Sequence, residues 1–176
     1  MVDIRPRPPR KLSSMRSRIE SVWLHGNLLA QLEREADLAY PLETGGVLVS
    51  YVADNNEPVV HAVIGAGPKA LHERARFEPD HAWQCEQLDD LFKSSSGQWV
   101  YLGDWHTHPD GRPKMSWLDR RTLRRIAKHS GACIAHPLML IGAGSPAAWT
   151  WAAHRCASVS WLGPRFLTEA LDIRAF

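Results

Sequence analysis

Cysteine is scarce in this chain of 176 residues: Cys85, Cys133 and Cys156 are widely spaced and form no Cys-x-x-Cys pair. A disulfide framework and a thiolate metal site are therefore not indicated, and buried free thiols are expected. No apolar run approaches the roughly 20 residues of a membrane span. No apolar stretch follows the basic N-terminal residues either, so neither membrane association nor a secretory signal is expected and the chain reads as cytoplasmic. Charge of one sign is also lacking. Lys and Arg exceed Asp and Glu by 21 to 19, a balance too even to make nucleic acid an expected partner. Gly65-Ala66-Gly67-Pro68 reads as a turn, because no Gly-x-Gly-x-x-Gly or Walker pattern continues from it.

What is present is apolar and aromatic. With 44% hydrophobic residues and eight tryptophans, the chain can bury one core and is most simply one domain over residues 18–176. Residues 1–17 differ. They concentrate Arg5, Arg7, Arg10, Lys11 and Arg16 against Asp3, with prolines interspersed, and read as an extended, polyproline-like or flexible basic tail.

Hydrophobic periodicity orders the elements. A strand is expected from Arg18 to Trp23 and a helix from Asn27 to Tyr40, with Leu28, Leu32, Ala36 and Ala39 on one stripe, Asn27 as its cap and Pro41 after it. Strands follow at Val47 to Val52 and Val59 to Ile64. Asp80 to Ser94 reads as a helix with Ala82, Cys85, Leu88 and Phe92 facing the core. After a strand from Trp99, a third helix covers Trp117 to Lys128, and short strands are expected at Leu138 to Ile141, Ala147 to Ala153 and Val159 to Leu162. Helices and strands interleave, which predicts an α/β fold: a curved mixed β-sheet flanked by helices.

The most informative stretch is His106-Thr107-His108-Pro109, with Ser116 and Asp119 downstream. The strand leading into it puts Trp99, Tyr101 and Trp105 on one face by its period of two, and His106 and His108 together on the other. Asp119 falls in the first turn of the next helix, where it can add a carboxylate oxygen to the two imidazoles and leave a fourth position open. That is the pattern of a catalytic rather than a structural zinc site. Ser116-Trp117-Leu118-Asp119 also has the form of a helix capping box, a role compatible with the first.

Hydrolysis at such a site needs a proton carrier that is not itself a ligand. Glu43 is the candidate: it follows the first helix and precedes Gly45-Gly46, whose missing side chains let backbone approach closely. His61, His72, His81, His129, His136 and His154 are read as non-ligands, and Trp149, Trp151 and Trp161 as core or sheet-face residues.

Together, Glu43 and the downstream His-x-His-x7-Ser-x2-Asp formed by His106, His108, Ser116 and Asp119 resemble the signature of the JAB/MPN-plus (JAMM) metalloprotease family. Stand-alone bacterial members, including the deconjugating peptidases of CBASS antiphage operons, are the nearer resemblance. The likeness implies a cytidine-deaminase-like α/β architecture with one catalytic Zn2+ on His106, His108 and Asp119. It also implies Glu43 as general base and then acid, and Ser116 as oxyanion stabiliser. The implied activity is that of a zinc peptidase or isopeptidase cleaving after the terminal glycine of a ubiquitin-like protein or its conjugate, with antiphage defence as the leading pathway.

A glycine-rich tail suits a narrow channel beside an exposed strand edge. Leu48 to Tyr51 is one candidate edge, Arg74 and Arg76 are candidate substrate contacts or a solvated pair, and Phe77 is expected in the core beside the groove. Two other classes stay open: a non-catalytic MPN-type binding or scaffold module, and a nucleic-acid-associated protein using the basic tail. The oligomeric state is not legible in the sequence.

Overall fold

The computed structural model of the chain describes residues 20–52, 57–159 and 166–176. The basic tail expected at 1–17, the start of the strand expected from Arg18 and the end of the one expected toward Leu162 lie outside the described residues.

The elements run β1 (Ser21–Leu24), α1 (Gly26–Ala39), β2 (Gly45–Val52), β3 (Pro58–Ile64), β4 (Leu71–Glu73), β5 (Arg76–Glu78), α2 (His81–Ser94), β6 (Val100–Pro109), α3 (Trp117–Lys128), β7 (Leu138–Gly144), β8 (Thr150–Val159) and β9 (Phe166–Ala175), with a short 3-10 turn at Ser130–Ala132. Helix α1 forms on the expected stripe, with Leu28, Leu32 and Ala36 buried. Its cap is His25 rather than Asn27, since His25 Nδ1 accepts from the Asn27 amide at 3.4 Å. The helix stops at Tyr40 because Pro41 has no N–H to continue the ladder.

The α/β class and the interleaved order hold, but the sheet is not open. Seven strands close into a barrel in the order β1-β3-β2-β6-β7-β8-β9, and β4-β5 form a separate two-stranded sheet. Closure comes from β9, a strand absent from the sequence reading, which pairs antiparallel with β8 and parallel with β1. Its backbone satisfies the two strands that would otherwise end the sheet with unpaired N–H and C=O groups. Strand β2 is paired on both sides, with β3 and β6. The edge expected at Leu48 to Tyr51 therefore does not exist.

Three apolar clusters follow from this layout. The interior holds Leu48, Val60, Leu102, Trp105, Leu138 and Leu140, and α1 adds Leu28 and Leu32. Outside the wall, α3 contributes Leu123 against Met139, Ile141 and Cys156, while α2 lays Trp83, Leu88 and Leu91 on Val47, Val49 and Ile64. The stripe expected on α2 is thus displaced. Ala82 and Cys85 are exposed, Phe92 is 46% exposed, and the buried residue is Gln84, whose amide donates to the Gly65 carbonyl at 2.8 Å. Of the expected stripe only Leu88 packs on the sheet, and the helix is turned by about one residue, roughly 100°, so that Trp83 and Leu91 join it there. Cys85 and Cys133 are exposed and only Cys156 is buried, so the expectation of buried thiols holds for one of three.

A β-bulge in β6 corrects a second expectation. Leu48 pairs with Gly103 but Val49 pairs with Tyr101, leaving Leu102 as the extra residue. The alternation slips there, so Trp99 and Tyr101 lie on the outer face with Val47 and Val49 while Trp105 points into the barrel. Tyr101 therefore shares the face of Asp104, to which its hydroxyl donates at 2.8 Å, and that is also the face of His106 and His108.

Candidate metal centre

The pairing between β6 and β7 is parallel, from Gly103↔Leu138 to Pro109↔Gly144, so the chain must cross over between them, and α3 is that crossover. The crossover brings the first turn of α3 against the C-terminal end of β6, where His106 and His108 emerge from the outer face. Ser116 caps the helix in a full capping box: its hydroxyl accepts from the Asp119 amide at 3.2 Å, and the Asp119 carboxylate accepts from the Ser116 amide at 2.6 Å. The cap fixes the Asp119 carboxylate toward the histidines.

There the ligand atoms of His106, His108 and Asp119 come within 4.8 Å of one another. The two Nε2 atoms stand 3.0 Å apart, Asp119 Oδ1 is 3.2 Å from His106 Nε2, and Asp119 Oδ2 is 3.6 Å from His108 Nε2. The side chains are 13%, 17% and 12% exposed, so the site is reachable but largely dehydrated. His108 Nδ1 lies 3.2 Å from the Arg112 carbonyl. A carbonyl can only accept, so Nδ1 carries the proton and the Nε2 lone pair faces the centre.

For His108 and Asp119 the electrostatics favour the ligating forms. Burial and the His106 charge push the His108 pKa down and keep its ring neutral. Burial pushes Asp119 up, but the hydrogen bond and charge of His106, with the Ser116 amide and hydroxyl, hold the carboxyl well below its usual range. Two converging imidazole nitrogens and an ionised carboxylate oxygen fit a divalent cation, and zinc suits the two-nitrogen, one-oxygen set.

Glu43 reaches the same place from a distant segment. Gly45 pairs with His106 across β2 and β6, and Glu43 sits two residues before it. The close approach expected at the glycines is present: a methyl group at Gly45 would lie 2.4 Å from the Trp105 carbonyl oxygen and 2.9 Å from both His106 Cβ and Phe77 Cε1. The half-buried Glu43 carboxyl is pushed up to about 7, first by burial and then by the Asp119 charge, with His106 pulling the other way. Next to it, Thr44 is locked to the metal strand, since its amide donates to Thr107 Oγ1 at 3.0 Å and its carbonyl accepts from the Thr107 amide at 2.8 Å.

Three of the five residues picked from the sequence, His106, His108 and Asp119, meet at one point; Ser116 caps the turn that carries Asp119, and Glu43 is near enough to feel the charges of His106 and Asp119. Others went unnoticed. His72, read as a bystander, donates from Nδ1 to the Glu43 carbonyl at 2.9 Å, and Thr107 is fully buried between the two histidines. Arg76 pairs with Glu78 inside the β4-β5 hairpin, while Phe77 is the partly exposed wall beside Gly45. A groove of about 550 Å³ lined by Cys85, Leu88, Phe92, Trp99 and Ile134 lies elsewhere and holds none of the five.

A family model described as prokaryotic homologs of the JAB domain matches residues 25–154. The chain is 33% identical over 129 residues to the "Probable metalloprotease y4qB" of Sinorhizobium fredii, an alignment spanning 73% of this chain and 79% of that protein. It is 28% identical over 128 residues to a "CD-NTase/cGAS isopeptidase" of Enterobacter hormaechei, covering 72% and 69% of the two chains. With the isopeptidase of the same name from Vibrio cholerae it shares 33% identity over 90 residues, and there the match spans about half of that protein, 53%. The solution structure of protein DSY2949 from Desulfitobacterium hafniense has the same fold, with a TM-score of 0.60 at 20% identity over 88% of this chain and 92% of that one.

Proposed function

The chain belongs to the family of prokaryotic homologs of the JAB domain, and from that premise we propose that it is a zinc-dependent peptidase or isopeptidase acting on a protein conjugate. The observation that carries the proposal is the meeting of His106, His108 and Asp119, supported by a half-buried Glu43 whose carboxyl is pushed up to about 7 and feels the charges of His106 and Asp119. Likeness to proteins named metalloprotease and CD-NTase/cGAS isopeptidase supports the same reaction class.

In this reading His106 Nε2, His108 Nε2 and the Asp119 carboxylate hold the ion, with the Arg112 carbonyl and the Ser116 amide orienting two of the three ligands. Zinc bound there supplies a Lewis acid that polarises the scissile carbonyl and makes water acidic near neutral pH. Glu43 takes a proton from the attacking water onto a carboxylate oxygen and gives it to the leaving amine, and a pKa near the working pH suits both transfers. We assign Ser116, whose hydroxyl accepts from the Asp119 amide and lies against the Asp119 carboxylate, to turn its hydrogen to the oxygen that gains charge.

The substrate we assign is a ubiquitin-like or related protein cut after its terminal glycine, either from an extension or from a target amine. With β2 paired on both sides and β4 already engaged by Glu43 through the Glu73 carbonyl, we assign an extended tail without bulky side chains to the β5 edge of the hairpin, which among the described residues pairs only with β4. Antiphage defence is part of the same proposal and rests on the resemblance of Glu43, His106, His108, Ser116 and Asp119 to the signature of the deconjugating peptidases of CBASS operons; the relatives' names support only isopeptidase action. The test incubates zinc-loaded protein, beside a Glu43→Gln control, with ubiquitin-like proteins extended beyond their terminal glycine, and reads intact mass. Cleavage between glycine and extension by the wild type alone is the expected result. Intact fusions throughout would refute the substrate assignment.

A further inference from the structure

Nothing among the described residues hydrogen-bonds the Glu43 carboxylate, so its position depends on the backbone that carries it. Both backbone polar groups of Glu43 are taken by the β4-β5 hairpin: its N–H donates to the Glu73 carbonyl at 2.8 Å, and its carbonyl accepts from His72 Nδ1 at 2.9 Å. Only from Thr44 onward does the chain dock on β6. The His72 ring is itself set against Phe77, with centroids 5.4 Å apart, and Phe77 is the wall beside Gly45.

We propose that His72 is a positioning residue for Glu43, holding the peptide that aims the carboxylate at the metal centre. The proposal rests on the reading of Glu43 as the proton carrier. Since the acceptor is a carbonyl, His72 acts through a protonated Nδ1, and no ionisation is required. The hairpin is a two-stranded sheet outside the barrel, the kind of element that has little stability of its own. Losing the contact should therefore disturb Glu43 far more than the barrel. Catalysis is the sensitive readout, because displacing a reacting group by about 1 Å costs up to about 100-fold in rate.

The experiment compares zinc-loaded wild type with His72→Ala, His72→Asn and His72→Gln. An Asn amide nitrogen can stand where Nδ1 stands, whereas that of Gln lies one methylene further out. Three quantities are read: hydrogen exchange at the Glu43 amide by NMR, zinc affinity by chelator competition, and kcat and KM on a glycine-extended ubiquitin-like fusion. The expected result for His72→Ala is at least about 10-fold faster exchange at Glu43 and a kcat lower by about 10- to 100-fold, with KM and zinc affinity unchanged. His72→Asn should restore both and His72→Gln neither. Wild-type exchange or wild-type kcat in His72→Ala would overturn the proposal, as would equal loss in Ala and Asn variants. Should the wild type cleave no fusion, the assigned reaction fails by itself. Exchange then decides the clamp: an effect reversed by Asn supports it, and no change refutes it.

Discussion

Replacing Glu43 by Gln should stabilise the metal-free protein while abolishing turnover, and the size of the gain follows from the site. Folding raises the carboxyl from 4.5 to about 7, chiefly by burial. At about 1.4 kcal/mol per pKa unit, a fully buried group would cost the folded state about 3 kcal/mol when ionised. Glu43 is only half-buried, and solvent screening cuts this to about 1–2 kcal/mol. Because the folded value lies above the unfolded one, the protonated form carries the stability. That contribution is complete below about 4.5 and is lost as the pH rises through about 7. Glutamine cannot ionise, so the variant keeps it. For a chain of this size the gain corresponds to a Tm about 2–8 °C above wild type at pH 8, shrinking toward zero as the pH falls toward 4.5. Thermal unfolding of chelator-treated protein followed by circular dichroism across pH 5 to 8 measures it. A difference that does not widen with pH, or a variant less stable at pH 8, would refute the account of Glu43 as a carboxyl strained for function.

The other predictions concern the ion and its supports. Asp119→Ala should lower zinc affinity by at least about 100-fold in chelator competition, whereas Glu43→Gln should leave it within a few fold. Saturating zinc should raise the wild-type Tm, as expected for a ligand that binds only the folded chain, and give Asp119→Ala a much smaller rise at the same concentration. Ser116→Ala removes a cap and should cost about 1 kcal/mol of stability in urea unfolding, with kcat falling further than that loss can explain. Gly45→Ala should be severe, because the added methyl meets the Trp105 carbonyl at 2.4 Å, and it should reduce both folded yield and zinc content. Normal yield and zinc content in that variant would contradict the packing described at β2 and β6.

The parts legible in the sequence are those governed by local rules. The His106-His108 spacing on a strand, the Ser116-Asp119 capping box and the α1 stripe depend only on the period of a strand or a helix, and all three appear in place. The face assigned to Trp99 and Tyr101 was not legible, because one extra residue at Leu102 inverts the alternation and such a bulge shows only when a partner strand is present. The α2 face failed for a similar reason. Its orientation is set by what Gln84 and Trp83 meet on β3 and beyond, and hydrophobic periodicity does not see a buried amide that finds a carbonyl. Nor did His72 carry any signal, since its role consists of a contact made 29 residues away.

By itself the sequence determined the donor types and the local geometry that pairs them, because strand period and helix capping act over a few residues. Tertiary structure decided that the sheet closes through β9, that β2 is paired on both sides, and that Glu43 comes close enough to His106 and Asp119 to feel their charges. Those outcomes depend on which distant backbone groups satisfy one another. Burial raises the Glu43 carboxyl, and burial exists only once the chain has folded around it.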